Sequence, residues 1–154
     1  EIAAFLKAAH GIHAAIKTAE QTTDGKAVEA EFEVKDGTGI WEIKTVAGTK
    51  HAEVKIDAGT GAVIKTKDKG DIADKTDAVT PEMLGAPLVD LVAKAEAEGG
   101  GKVIEIEFEH KDGKPVGIEV EIVKPDGSLH KFLMGADGKL TPLVNANSDE
   151  AEEN

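Results

Sequence analysis

One twelve-residue phrase occurs twice in the chain, and this repeat limits the possible folds more than any other feature of the sequence. The first copy, from Lys26 to Gly37, reads KAVEAEFEVKDG, and the second, from Lys102 to Gly113, reads KVIEIEFEHKDG. In both copies apolar residues alternate with glutamates, which is the period of a strand with one dry and one wet face. Each copy ends in Lys-Asp-Gly, an order that favours a tight turn because glycine reaches positive φ at little steric cost. The repeat therefore predicts two similar units, each containing a hairpin.

A helical pattern precedes each copy of the repeat. Apolar residues recur at helical spacing from Ile2 to Gln21, with a weak point at Gly11. In the second half a helix start at Thr80-Pro81 is followed by another at Pro87. When the two copies are aligned, Pro87 stands opposite Gly11, which predicts that the core helix of each unit begins there.

Further strand patterns follow each copy. They lie at 40–46, at 51–57 and in a short stretch to Ile64 in the first half, and at 116–123 and 129–133 in the second. One helix that covers one face of about four antiparallel strands makes an α+β unit. We therefore predict two tandem α+β units of this kind, with Phe32 and Phe108 in equivalent core positions.

The boundaries follow from where the periodic patterns stop. We predict a first domain at 1–67, an acidic linker at 68–79, a second domain at 80–147 and a solvated acidic tail at 148–154. The stretch from Lys65 to Ala78 is charged and has no apolar period, although it carries an aspartate at every third position: Asp68, Asp71, Asp74 and Asp77. This spacing differs from that of an EF-hand, whose loop has acids at alternate positions and a central glycine. A solvated linker is the interpretation we adopt; in a helix, neighbouring aspartates would share a face.

The charge balance narrows the classes of partner. The formal net charge is -12, from 30 acidic and 18 basic residues, and all the basic residues are lysines. Nucleic acid and anionic membranes are poor partners for such a surface, because binding phosphates requires clustered positive charge. Metal ions, basic peptides and amines are the natural partners, and the alternative is that the acidity only keeps the protein soluble. No apolar run approaches the roughly 20 residues of a membrane span, and the start at Glu1 is compatible with a mature chain after removal of an export signal or with a trimmed one.

The motifs also resemble those of a known family. Gly-Lys-Val, the alternating glutamates, Lys-Asp-Gly-Lys-Pro-Val, Glu-Val-Glu-Ile and Pro-Asp-Gly in the second half resemble a PepSY domain, and Val54 to Val63 is similar to the family's closing phrase. The resemblance covers both halves as a tandem pair, and the second half departs from it between Met134 and Gly138. It implies an exported protein, periplasmic or extracellular, with a binding or inhibitory role and no shared catalytic motif.

The inventory of reactive side chains argues against an enzyme. Cysteine and tyrosine are absent, and the two serines, Ser128 and Ser148, fall in a turn and in the tail. His10 and His13 are three apart and could share one helix face for a soft metal ion, although a third ligand is not evident. Exposed histidines beside an apolar stripe are the simpler explanation. The other histidines, His51, His110 and His130, are isolated in the sequence.

The glutamate rows are the candidate site. Glutamates of one strand should stand about 5 Å from those of its partner, where like charges repel unless a cation lies between them. Clustered carboxylates suit hard ions such as Ca²⁺ or a lanthanide ion, and the alternative is a solvated acidic surface. The predicted ligands are Glu29, Glu31, Glu33 and Glu42 in the first unit, moderated by Lys44, and Glu105, Glu107, Glu109, Glu119 and Glu121 in the second.

The sequence thus predicts a non-enzymatic exported binding module. The most specific version of this prediction is a protein that binds hard cations. The alternatives are a protein-interaction or peptidase-inhibitor-like module that engages a basic or envelope partner, and a structural or assembly subunit.

Overall fold

The computed structural model describes residues 1–74, 78–111, 114–135 and 137–143. These residues form four α-helices, a 3₁₀ turn and eight strands. The helices are α1 (Ile2–Lys7), α2 (Ile12–Thr23), α3 (Pro81–Leu84) and α4 (Leu88–Gly99), and the 3₁₀ turn spans Ile72–Asp74. The strands are β1 (Lys26–Lys35), β2 (Thr38–Ala47), β3 (Lys50–Asp57), β4 (Val63–Asp71), β5 (Lys102–Lys111), β6 (Lys114–Val123), β7 (Leu129–Met134) and β8 (Leu140–Pro142).

All eight strands belong to one sheet. Their order is β4-β3-β2-β1-β5-β6-β7-β8, and every neighbouring pair is antiparallel. The halves meet at β1 and β5, where Ala30 pairs with Ile106 and Glu31 pairs with Glu105. The predicted α+β class is confirmed, and the order of strands in the second half mirrors that in the first.

The two long helices cover one face of this sheet. Gly11 is the N-cap of α2 and Pro87 is the N-cap of α4, so the predicted start of each core helix is confirmed. Ile12 and Leu88, the residues that follow, are both buried. The last turn of each helix is tied to the strand after it, because Glu20 accepts a hydrogen bond from the amide of Ala27 (2.8 Å) and Glu96 accepts one from the amide of Val103 (3.0 Å). The two halves of the chain therefore share their helix-to-strand connection.

The repeated phenylalanines occupy equivalent strand positions but differ in burial. Phe32 is 3% exposed and lies edge-on to Phe5, with ring centroids 5.5 Å apart. Phe108 packs against the same core but is only partly buried. The equivalence predicted from the repeat is confirmed, and the difference in depth reflects what covers each ring.

The structure differs from the sequence-based expectation at the start of the predicted linker. Residues 65–71, which we expected to be solvated linker, belong to β4, which pairs with β3 at the edge of the sheet. An edge strand gains its backbone hydrogen bonds from one neighbour and is exposed here along most of its length, so it needs no apolar period. Asp68 and Asp71 therefore lie in a strand. Asp77 and the predicted tail at 148–154 lie outside the described residues, and the division into two domains stays a prediction.

Candidate functional site: the carboxylate face of the sheet

The predicted ligands lie together on the face of the sheet opposite the helices. Strand alternation turns Val28, Ala30 and Phe32 toward the helices, where they are buried, and sends the intervening glutamates to the other side. We call the side that carries them the carboxylate face; its nine predicted members are Glu29, Glu31, Glu33, Glu42, Glu105, Glu107, Glu109, Glu119 and Glu121. Sequence reasoning placed these residues in two separate groups, and the structure joins the groups.

The pairing of β1 with β5 is what joins them. Glu31 lies between Glu42 of β2 and Glu105 of β5. Glu105 in turn pairs with Glu121, and Glu107 pairs with Glu119, both on β6. A continuous row of carboxylates therefore crosses the centre of the sheet at the spacing of neighbouring strands, about 5 Å.

Lysines border this row and form ion pairs with several of its members. Lys44 Nζ lies 3.2 Å from Glu29 Oε2, and Lys131 Nζ lies 3.2 Å from Glu119 Oε1. Lys55 Nζ lies 3.9 Å from Glu42 Oε2. The ion pair of Lys44 confirms that this lysine offsets part of the negative charge, as predicted. Lys131 was not predicted; it lies on this face because β7 pairs with β6 in a register that places Lys131 opposite Glu121.

The sequence analysis missed one acidic residue of this face. Glu53 of β3 pairs with Lys44 of β2, and Lys69 Nζ stands 4.0 Å from its Oε2. The signal was available in the sequence, since Glu53 falls between Ala52 and Val54, two residues of the apolar row of β3.

Several of these carboxyl groups are partly buried and hold protons more tightly than free glutamate does. Burial, with the charges of Glu53 and Glu33, raises the pKa of Glu42 to about 7. Burial and a hydrogen bond with Glu109 raise the pKa of Glu107 to about 8. Burial and the neighbouring Glu121 also raise the pKa of Glu105 well above its usual range. A fully ionised row is therefore an unfavourable state of the folded protein.

Three glutamates of the carboxylate face have the geometry of an oxygen-ligand site. Glu107, Glu109 and Glu119 place one carboxylate oxygen each within 4.8 Å of the others. Oxygens that share a Ca²⁺ ion at 2.3–2.6 Å can lie up to about 5 Å apart, so the three can contact one ion. A cavity of about 200 Å³ adjoins the carboxylate face. Its lining combines the acidic residues Glu1, Glu31, Glu33, Glu105 and Glu121 with the apolar residues Phe32, Ile104 and Leu129.

The two histidines considered for a soft metal ion point to different neighbours. His13 Nε2 lies 3.1 Å from Glu96 Oε1 on α4. The ring of His10 packs against Gly61, and its backbone carbonyl accepts a hydrogen bond of 3.0 Å from the indole nitrogen of Trp41. Among the described residues, the group of three or more clustered metal ligands consists of glutamates alone.

Ser128 lies between an acid and a histidine, an arrangement the sequence analysis did not anticipate. Its hydroxyl donates to Asp126 Oδ1 at 2.6 Å and lies 2.9 Å from His130 Nε2. The same Asp126 oxygen accepts from the Ser128 amide at 2.9 Å, so the group caps the β6–β7 turn. These bonds to Ser128 lower the pKa of Asp126. In a catalytic triad the acid orients the histidine and not the serine, so the arrangement is that of a capped turn.

No helix among the described residues combines the length and the apolar character that a membrane crossing requires.

The comparisons with known proteins concern the first half and the overall fold. No curated protein matches the sequence significantly. A crystal structure described as that of "a putative lipoprotein" from Clostridium difficile 630 is similar, with 16% sequence identity and a TM-score of 0.49 over 88% of this chain and 92% of that chain. The PepSY family model, described as "Peptidase propeptide and YPEB domain", matches residues 12–67, which run from the start of α2 into β4. The chain therefore contains a PepSY domain at residues 12–67.

Proposed function

We propose that this protein is a non-enzymatic binding module that holds hard cations, Ca²⁺ or a lanthanide ion, on the carboxylate face. The observation that carries the proposal is the group formed by Glu107, Glu109 and Glu119, whose oxygens lie close enough to contact one ion. The ligand atoms are all carboxylate oxygens, which hard ions prefer over imidazole or thiolate.

The energetics of the face support the same proposal. Carboxylates that are partly buried beside one another destabilise the folded state when they ionise. A multivalent cation that binds only the folded state relieves this repulsion and adds stability. At a free concentration 100 times its dissociation constant it adds about 2.7 kcal/mol, which raises the melting temperature of a chain of this length by roughly 5 to 10 °C.

Calorimetric titration of the chelator-treated protein tests the proposal. We expect saturable binding of Ca²⁺ and of a lanthanide ion, and a thermal shift larger than the one produced by NaCl at the same ionic strength. NaCl screens the carboxylates but cannot chelate between them. The double replacement Glu107→Gln with Glu119→Gln should weaken binding at least about tenfold, or 1.4 kcal/mol.

A matched control removes the same charge elsewhere. Asp90 and Glu98 are exposed residues of α4, on the opposite side of the sheet, so Asp90→Asn with Glu98→Gln should leave cation binding unchanged. The proposal is wrong if NaCl and the multivalent cations produce equal thermal shifts at the same ionic strength, or if both double variants lose cation binding equally. Either result would mean that the carboxylate face is a general acidic surface without a specific cation site.

A second candidate function is protein interaction, and the match of residues 12–67 to a family described as a peptidase propeptide domain favours it. In this alternative the module engages a peptidase or another basic or envelope partner, or acts as a structural or assembly subunit. The family resemblance also supports export to a periplasmic or extracellular location. A second PepSY-like unit at 80–147 is part of the proposal, supported by the shared helix start and by the equivalent roles of Glu20 and Glu96.

A further inference from the structure

The two units differ in how they cover the repeated phenylalanine. In the first unit Trp41 pairs with Phe32 across β1 and β2, and Phe5 of α1 closes over both rings. The centroid of Phe5 lies 5.5 Å from that of Phe32 and 6.0 Å from that of Trp41, in edge-to-face contacts. All three rings are buried. The first unit thus fills its own groove with an aromatic side chain from a short helix.

The second unit has an equivalent groove, but the side chain beside its phenylalanine is smaller. Ile118 pairs with Phe108 at the place that Trp41 occupies beside Phe32. The preceding short helix, α3, packs mainly on β1 of the first unit, whereas α1 packs on β2 of its own unit. The ring in contact with Phe108 is that of His110 on the same strand, with ring centroids 5.1 Å apart. Neither α3 nor α4 carries an aromatic residue that could cover Phe108 as Phe5 of α1 covers Phe32.

What remains is an open cavity of about 410 Å³ beside Phe108. Its lining includes the apolar side chains of Leu91, Ile118 and Met134, with Met83 and Val116 at 37% and 49% exposure. We call this cavity the second-unit groove. It lies on the helix-covered face of the sheet, so it is separate from the carboxylate face, and its volume falls within the range of ligand pockets.

The charge of the groove lining indicates a second chemical property that a ligand of this groove should have, besides an apolar part. Lys94 of α4 is the charged residue among the described residues that line the groove. It is exposed and forms no ion pair within the described part of the chain. Its stem lies along Gly138, whose missing side chain leaves that space open. A cation beside an apolar cavity complements an occupant that carries an acidic group next to its apolar part.

We propose that the second-unit groove binds an apolar peptide segment of a partner protein, one that inserts an aromatic side chain over Phe108 and places an acidic residue beside Lys94. The first unit supplies the template for the aromatic side chain, because Phe5 of its α1 packs edge-on against Phe32.

Fluorescence anisotropy with a labelled peptide tests the proposal on the full chain. The probe is a fluorescein-labelled peptide with the sequence of residues 1–9, EIAAFLKAA. We expect one-to-one binding, and we expect the same peptide with alanine in place of its phenylalanine to bind at least about tenfold more weakly, because an aromatic ring supplies much of the buried apolar area.

Two variants of the protein locate the binding. Ile118→Trp places the larger ring of the first unit into the groove and should weaken peptide binding at least about tenfold. Val116→Glu changes an exposed lining residue, so it should fold normally, and the charge it adds to the apolar groove should weaken binding of the probe to a similar degree. The matched control is Val34→Glu, because Val34 is an exposed valine of the first unit. Lys94→Glu should weaken binding, and Lys17→Glu, on α2, should not.

The outcomes separate the alternatives. If the peptide does not bind, or binds equally after Val116→Glu and Val34→Glu, the proposal is wrong. Exchange of the probe with the resident α1 would appear as binding that Val116→Glu and Lys94→Glu leave unchanged, and that outcome also overturns it. Loss of cation binding in Glu107→Gln with Glu119→Gln should not alter peptide binding, since the two sites lie on opposite faces.

Discussion

At the scale of single residues, Lys131 holds a central position on the carboxylate face. Its ammonium lies 3.2 Å from Glu119 Oε1. Burial alone would lower its pKa, but the charges of Glu121, Glu119 and Glu105 outweigh burial and raise it. Lys131 therefore acts as an internal cation beside the proposed ligand Glu119, and a bound metal ion has to compete with it.

Replacement of Lys131 by methionine tests this competition. Without added cation, Lys131→Met should lower the free energy of unfolding by about 1–2 kcal/mol, because Glu119 loses a charged hydrogen bond in a partly buried setting. Saturating Ca²⁺ should then stabilise the variant more than it stabilises the unmodified protein. Chemical denaturation with and without Ca²⁺ measures both effects.

Lys17→Met is the control for net charge, since Lys17 is an exposed residue of α2. An equal loss of stability in the two variants, or an unchanged response to Ca²⁺ after Lys131→Met, would contradict the role assigned to Lys131.

At the scale of elements, the local patterns of the sequence predicted the strands and their faces but not all of their neighbours. Alternation is a local property, so it identified the glutamates of β1 and β5 as outward-facing. The pairing of Glu31 with Glu105 joins residues 74 positions apart, and no local pattern specifies it. The candidate site was therefore predicted as two acidic groups, while the structure has one. The strand predicted to end at Ile64 continues as β4 to Asp71, and this continuation was missed for a related reason, since its backbone pairing with β3 needs no apolar period.

The connection from α4 to β5 depends on close approach of the backbone. A Cβ atom added at Gly101 would lie 2.4 Å from the backbone oxygen of Val123 on β6. Gly101→Ala should therefore lower the free energy of unfolding by about 1–3 kcal/mol, the usual cost of overpacking. Urea denaturation measures it, and Glu98→Ala, at an exposed position of α4, should change stability by less than about 0.5 kcal/mol. Equal stability of Gly101→Ala and the unmodified protein would show that β6 moves aside freely.

At the scale of the whole molecule, the mirrored halves give one sheet with two different surfaces. The strand order places the glutamates of both repeats at the centre of one surface. On the other surface the halves differ, because the first covers Phe32 with Phe5 and Trp41, while the second leaves a groove beside Phe108. The mirrored strand order thus concentrates charge on one side of the sheet, while an apolar cavity lies on the other.

The concentrated charge makes the stability of the whole chain depend on pH in an unusual direction. Glu42 and Glu107 have pKa values of about 7 and about 8 in the folded protein, above the ordinary value of 4.5. Between the ordinary and the folded pKa values the folded state binds more protons than the unfolded state, so the free energy of unfolding falls as pH rises. We therefore expect the melting temperature of the cation-free protein to decrease from about pH 5 to about pH 8.

Thermal melts across this range check the expectation. Glu107→Gln should reduce the pH dependence, because it removes one of the carboxyl groups whose pKa is raised in the folded protein, whereas Glu98→Gln should leave it unchanged. Bound Ca²⁺ displaces the extra protons, so its affinity should rise with pH through the same range. A melting temperature that stays constant or increases from about pH 5 to about pH 8 without cation would mean that these carboxylates ionise without cost, and the main energetic reason for a cation on this face would be lost.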